Sequence, residues 1–196
     1  MIEEIEAIVK VRDNWISVGI HPWYINKEDW QKYLQILKKW IDNEQVMAVG
    51  ECGLDRLAQV SIAQQLLVFD AQVKLAEQVQ KPVIIHCVRA FNELIQWKIQ
   101  NKPTVPLIIH GFNNKPEIAQ QLLTHGFYFS LGIALLNPAS NASKVIKMIP
   151  TERLFLENDD RDTPIELVYK AAAIHLETTI AELKTQIWAN FTILFG

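Results

Sequence analysis

The sequence predicts an α/β protein, a TIM-like (β/α) barrel, on three observations. Short apolar runs alternate with helical stretches six times, and such alternation means parallel strands with right-handed crossovers. The runs are apolar without polar alternation, as in sheets covered on both faces or closed on themselves. Metal-capable residues follow four of the runs, and only in a closed ring do the ends of distant strands converge. No G-x-G-x-x-G or P-loop follows any strand, which counts against an open nucleotide-binding sheet.

The chain has 196 residues, enough for one sizeable core and short for two domains, so residues 1–196 read as a single domain. It is 49% hydrophobic and 21% charged with net charge -3, which describes a globular protein and not a disordered one. The absence of a basic run argues against broad electrostatic binding to duplex nucleic acid. A site that grips a phosphodiester through metal ions needs no such run. Met1–Arg12 is charged throughout and does not read as a signal peptide, and no apolar run reaches spanning length. The expected compartment is the cytoplasm, with Cys52 and Cys87 as reduced thiols.

Met1–Asn14 fits either a short helix or a strand. Ile16–Ile20 reads as a strand ending at His21-Pro22-Trp23-Tyr24. Asn26 or the acids after it cap a helix whose apolar face is Trp30, Leu34, Leu37 and Trp40. Val46–Val49 is the next strand, and it runs into Gly50-Glu51-Cys52-Gly53-Leu54-Asp55. Ser61 caps a long helix through Leu66, Phe69, Val73 and Val79. Pro82 ends it before the strand Val83–Ile85. A helix through Phe91, Leu94, Ile95 and Trp97 leads to the strand Leu107–Ile109. Pro116 starts a helix that Gly126 stops, and Tyr128–Leu131 is a strand. A short helix over Ala139–Met148 precedes the last strand, Leu154–Leu156. Two helices close the chain, Pro164–His175 and Thr179–Phe195, the second opened by a capping box at Thr178 or Thr179 with Glu182.

The chemistry is concentrated where strands end. Glu51 follows an apolar strand at the end where α/β barrels place their active sites. His86 ends PVIIH and His110 ends PLIIH, two near-identical runs. One histidine after a strand is commonly a hydrogen-bonded structural residue. Two in parallel positions, with an acid at a third, favour a metal. Asp159 follows LFLEN, with Glu157, Asp160 and Asp162 as rivals in the same acid-rich loop. His21 is either a ligand or substrate contact, or a ring packed on Trp23. His125 and His175 fall on helices or their ends and read as surface residues. A glutamate with two histidines suits zinc, manganese or a similar divalent ion, and magnesium is also considered. Such an ion lowers the pKa of bound water and polarises a phosphoryl or acyl oxygen. No nucleophile elbow is present, which disfavours covalent acyl transfer.

The segments SVGIHPW, AVGECGLD, PVIIHCVRA, IIHGF, GFYFSLG and LFLENDD, with the closing IWANFTILFG, resemble in order the motif series of TatD-type metal-dependent hydrolases. The resemblance runs from about Ser17 to Gly196. It implies a TIM-like barrel of the amidohydrolase kind and a divalent-metal DNase or phosphodiesterase activity on DNA or a small phosphodiester. It also implies a bridging glutamate at Glu51, second-metal histidines at His86 and His110, and a catalytic, metal-binding aspartate at Asp159. On this reading Arg89 pairs with a phosphate or is a solvated helix start. Trp23 and Tyr24 stack on a base or only pack.

Three departures stand out. The family opens with a strand carrying H-x-H that binds the first metal, and no histidine precedes His21 here. The family's E-T-D is Glu157-Asn158-Asp159, and Gly111-Phe112-Asn113-Asn114 follows His110. Two oxygen ligands hold an ion poorly, so the expectation is at most one firmly bound metal. A barrel of six to seven strands, incomplete at its amino terminus, would expose an edge that invites self-association. An impaired or inactive relic and a metal-dependent amide, ester or lactone hydrolase are the alternatives to the phosphodiesterase reading.

Overall fold

The computed structural model describes residues 15–26, 28–159 and 161–196. The ambiguous Met1–Asn14 segment lies outside the described residues. The chain divides into two compact units, the first formed by residues up to Ala90 with Asn101–Val105, the second by Phe91–Gln100 and Pro106–Gly196.

The first unit carries three parallel strands, β1 (Ile16–Val18), β2 (Val46–Asp55) and β3 (Val83–Val88), with β2 between its neighbours. Helix α1 (Trp30–Trp40) links β1 to β2, and α2 (Ile62–Val79) links β2 to β3. The apolar face predicted for α1 forms: Trp30, Tyr33 and Leu34 pack on buried Ile20, Ile25 and Val68. Its start is later than Asn26, whose side chain instead accepts from Glu28 N to make a turn. Ser61 caps α2 by accepting from Gln64 N, and Gln80 ends it in the left-handed conformation. Strand β2 runs six residues beyond its predicted end, through to Asp55. Its pairing with β3 continues past Glu51, so Cys52 lies opposite Ile85 and Gly53 opposite His86.

The second unit carries β4 (Leu107–Ile109), β5 (Tyr128–Leu131) and β6 (Leu154–Leu156), again parallel with the middle strand in sequence at the centre. Around them run α3 (Phe91–Asn101, all but its last residue in this unit), α4 (Pro116–Thr124), α5 (Asn141–Val145), α6 (Ile165–Leu176) and α7 (Ile180–Phe195). Phe112 meets Phe91 and Phe129 edge-on at 5.8 and 5.1 Å, in the favoured aromatic geometry. Buried Asn190 on α7 donates to the carbonyls of Thr151 and Leu154, which fixes that helix beside β6. The capping box forms at Thr179 and Glu182. Among the described residues, no helix is long and apolar enough to cross a membrane.

Candidate metal centre

In the first unit, His21, Glu51 and His86 each offer one ligand atom, and these atoms lie within 4.8 Å of one another. Three separate segments deliver them. His21 follows β1 and opens a single 3-10 turn at Pro22–Tyr24, where its Nδ1 accepts from Trp23 N at 3.2 Å. Glu51 sits inside β2 at a register slip between Val49 and Cys52. An extra residue in a strand re-aims the side chains around it, and here it leaves the glutamate half-buried between buried Gly50 and Cys52. His86 is the fourth residue of β3. The His21 and His86 rings meet edge-on with centroids 4.4 Å apart, and Trp23 lies 5.3 Å from His21. His21 therefore does both things the sequence allowed, packing on Trp23 and joining the donor group. A cavity of about 830 Å³ opens beside it, lined in part by Ser17, Tyr24, Tyr33 and Glu51.

Asp55, the last residue of β2, is fully buried. Its Oδ2 accepts from the Trp23 indole N–H at 2.6 Å and lies 3.0 Å from His86 Nε2. Its Oδ1 accepts from Leu57 N at 2.7 Å. Burial alone pushes this carboxyl upward. The hydrogen bonds from His86, Leu57 and Trp23, with the charge of His86, outweigh it and hold the group below the usual range. Nothing in the sequence marks Asp55 apart from its place at the end of an apolar strand.

Helix α2 supports both segments through two buried glutamines. Gln65 Oε1 accepts from Asp55 N at 2.6 Å, while its Nε2 donates to the carbonyls of Asp55 and Val60. Gln72 Oε1 accepts from Ile20 N at 2.6 Å, and its Nε2 donates to Ile20 O at 3.2 Å. Each amide satisfies a buried backbone N–H and C=O, directly beside His21 in one case and at Asp55 in the other. Gly53 has φ 144°, and a Cβ there would lie 2.0 Å from the His86 carbonyl oxygen. Cys52 is buried, and burial followed by the charge of Glu51 pushes its thiol far up, so it is an inert packing residue. Arg89 is exposed with φ 54°, and its carbonyl accepts from Arg56 Nε.

In the second unit His110 directly follows β4, and its Nδ1 lies 3.3 Å from Glu157 Oε1. Glu157 follows β6 and lies beside two glycines, at which a Cβ would make ordinary van der Waals contact. A Cβ at Gly111 would stand 3.5 Å from its Oε1, and one at Gly132 would stand 3.4 Å from its Cγ. The sequence offered Glu157 only as a rival to Asp159; the structure gives it a histidine partner. Asp159 is exposed in the left-handed region at φ 53°, which aspartate tolerates better than most residues. His125 and His175 are half-buried at the ends of α4 and α6.

Two imidazoles and a carboxylate, one imidazole held by a second carboxylate, form a donor set that suits a divalent transition metal. The sequence profile described as TatD related DNase matches residues 2–196. The chain belongs to the TatD-related DNase family. A Buchnera aphidicola protein named an uncharacterized metal-dependent hydrolase is 34% identical over 154 residues, 76% of this chain and 56% of that protein. The Bacillus subtilis protein YabD, also named an uncharacterized metal-dependent hydrolase, is 32% identical over 81% of this chain and 61% of its own. A Pantoea protein named 3'-5' ssDNA/RNA exonuclease TatD is 32% identical over 74% of this chain and 57% of its own. The chain thus spans less than two thirds of the length of these relatives. The crystal structure of YjjV, a TatD homologue from Escherichia coli K12, superposes with TM-score 0.84 at 23% identity over 98% of this chain and 82% of that one. That likeness carries the TIM-like α/β fold of the TatD family.

Proposed function

We propose that this chain is a metal-dependent phosphodiesterase, cytoplasmic and acting as a single domain, that cleaves single-stranded DNA or RNA. One observation carries the reading: the group of His21, Glu51 and His86 with ligand atoms inside 4.8 Å. Family membership supports it, and so does the name of the Pantoea relative.

Glu51, His86, His110 and Asp159 are the proposed metal-binding residues, joined by His21. The imidazoles favour zinc or manganese over magnesium, with one ion firmly bound. When bound, such an ion supplies Lewis acidity toward a phosphoryl oxygen and lowers the pKa of water beside it. The remaining work belongs to the chain's own side chains. Asp159 accepts the proton of the attacking water. Exposed Arg89 pairs with a phosphate, in keeping with the planar fork of guanidinium. Trp23 and Tyr24 are 60% and 67% exposed, an aromatic surface on which an unpaired base stacks.

The test is a nuclease assay on single-stranded DNA and RNA with manganese, zinc or magnesium, run against a lactone and an amide at the same metal concentration. The expected result is metal-dependent cleavage of the nucleic acid, abolished by chelation. A well-folded sample that cleaves neither strand, or only the lactone or amide, overturns the reading.

A further inference from the structure

We propose that Asp55 is a positioning residue that fixes the ring tautomer and orientation of His86, leaving Nδ1 as the atom by which His86 ligates. The inference rests on the metal-centre reading above.

Asp55 is 0% exposed, so water does not satisfy its oxygens. Oδ1 faces the backbone N–H of Leu57 at 2.7 Å, and Oδ2 faces the indole N–H of Trp23 at 2.6 Å. Both are donors only. A proton on Oδ1 would point at the Leu57 N–H, and one shared along the Oδ2···Nε2 contact rests on the more basic imidazole nitrogen, so the group is a carboxylate and accepts at every contact. His86 Nε2, 3.0 Å from Oδ2, must then donate. A neutral imidazole that carries its proton on Nε2 keeps its lone pair on Nδ1.

The residue that carries the carboxylate is held through its backbone. Gln65 binds both its backbone N–H and its C=O, and β2 pairs Asp55 with Val88. The side chain therefore sets the ring and not the reverse. The same oxygen also holds the edge of Trp23, so the aromatic surface and the metal-binding histidine share one anchor.

Asp55→Asn separates positioning from mere packing. The amide has nearly the same shape, and its oxygen still accepts from Leu57 N. Its NH₂ then takes the place of Oδ2, where the Trp23 indole N–H loses its acceptor and His86 Nε2 responds by accepting, so the ring proton moves to Nδ1. Histidine ring nitrogens of the metal-free chain, labelled with ¹⁵N, report which nitrogen carries hydrogen, and loss of one signal in His86→Gln assigns them. The wild type is expected to show His86 protonated on Nε2, and Asp55→Asn to show it on Nδ1. Zinc titration by calorimetry is expected to show affinity about 10–100-fold weaker in Asp55→Asn, the usual effect of losing such a partner. An unchanged tautomer or an unchanged zinc affinity in the variant overturns the proposal. If the variant does not fold, the wild-type tautomer decides, because a proton on Nδ1 there is incompatible with it. A wild type that binds no zinc defeats the metal-centre reading, while the two tautomers still show whether Asp55 sets the ring.

Discussion

At Gly53 the backbone is at φ 144°, and a methyl group would reach 2.0 Å from the carbonyl oxygen of His86. No side-chain rotation relieves that contact, because the obstacle is backbone. Gly53→Ala must push β2 away from β3 at the residue that carries His86, or distort β2 itself. The expected cost is about 3 kcal/mol or more, read as a lower urea midpoint with an unchanged slope. Zinc affinity falls with it. Glycine at this position is visible in the sequence, but its reason is not, since the sequence carries no sign that β3 passes within 2.0 Å of a Cβ there. Asp55 was hidden for a related reason. An acid at the end of an apolar run is ordinarily solvated, and only the tertiary structure buries it under Trp23 and His86.

Among the elements, α2 does the most to place the candidate site, and it does so with polar side chains. Its extent and cap were legible, because Ser61 and an apolar series mark both. Gln65 and Gln72 were not, since a glutamine on a helix normally faces water. Here each bonds the N–H and C=O of one buried backbone residue. Gln72→Leu keeps the volume and leaves the N–H and C=O of Ile20 without partners. The expected loss is about 2–4 kcal/mol in chemical denaturation, with weaker binding of zinc because His21 follows directly. The strands show the same division. The apolar runs announced all six strands of the described residues, yet β2 extends through Asp55 past a register slip that periodicity does not encode. Two of the three residues of the principal donor group, Glu51 and His86, stood out by their place at strand ends. The third, His21, was evenly divided between ligand and packing, and the structure gives it both contacts.

For the molecule as a whole, the family motifs lie in order along both units, and each unit contains a histidine held by a carboxylate. His86 is bonded at Nε2 to Asp55 and His110 at Nδ1 to Glu157, so opposite ring nitrogens are committed in the two cases. A motif series names the histidines but carries no information on which nitrogen is engaged, since that depends on acids far away in sequence. The central claim is that the donor group of His21, Glu51 and His86 takes a divalent ion. Equilibrium dialysis of the full chain against zinc, followed by elemental analysis, tests it most directly, with Glu51→Gln and His86→Ala alongside. The account predicts one firmly held ion per wild-type chain and at least tenfold weaker retention in either variant. A wild-type chain that retains none, or variants that retain zinc as the wild type does, would contradict it.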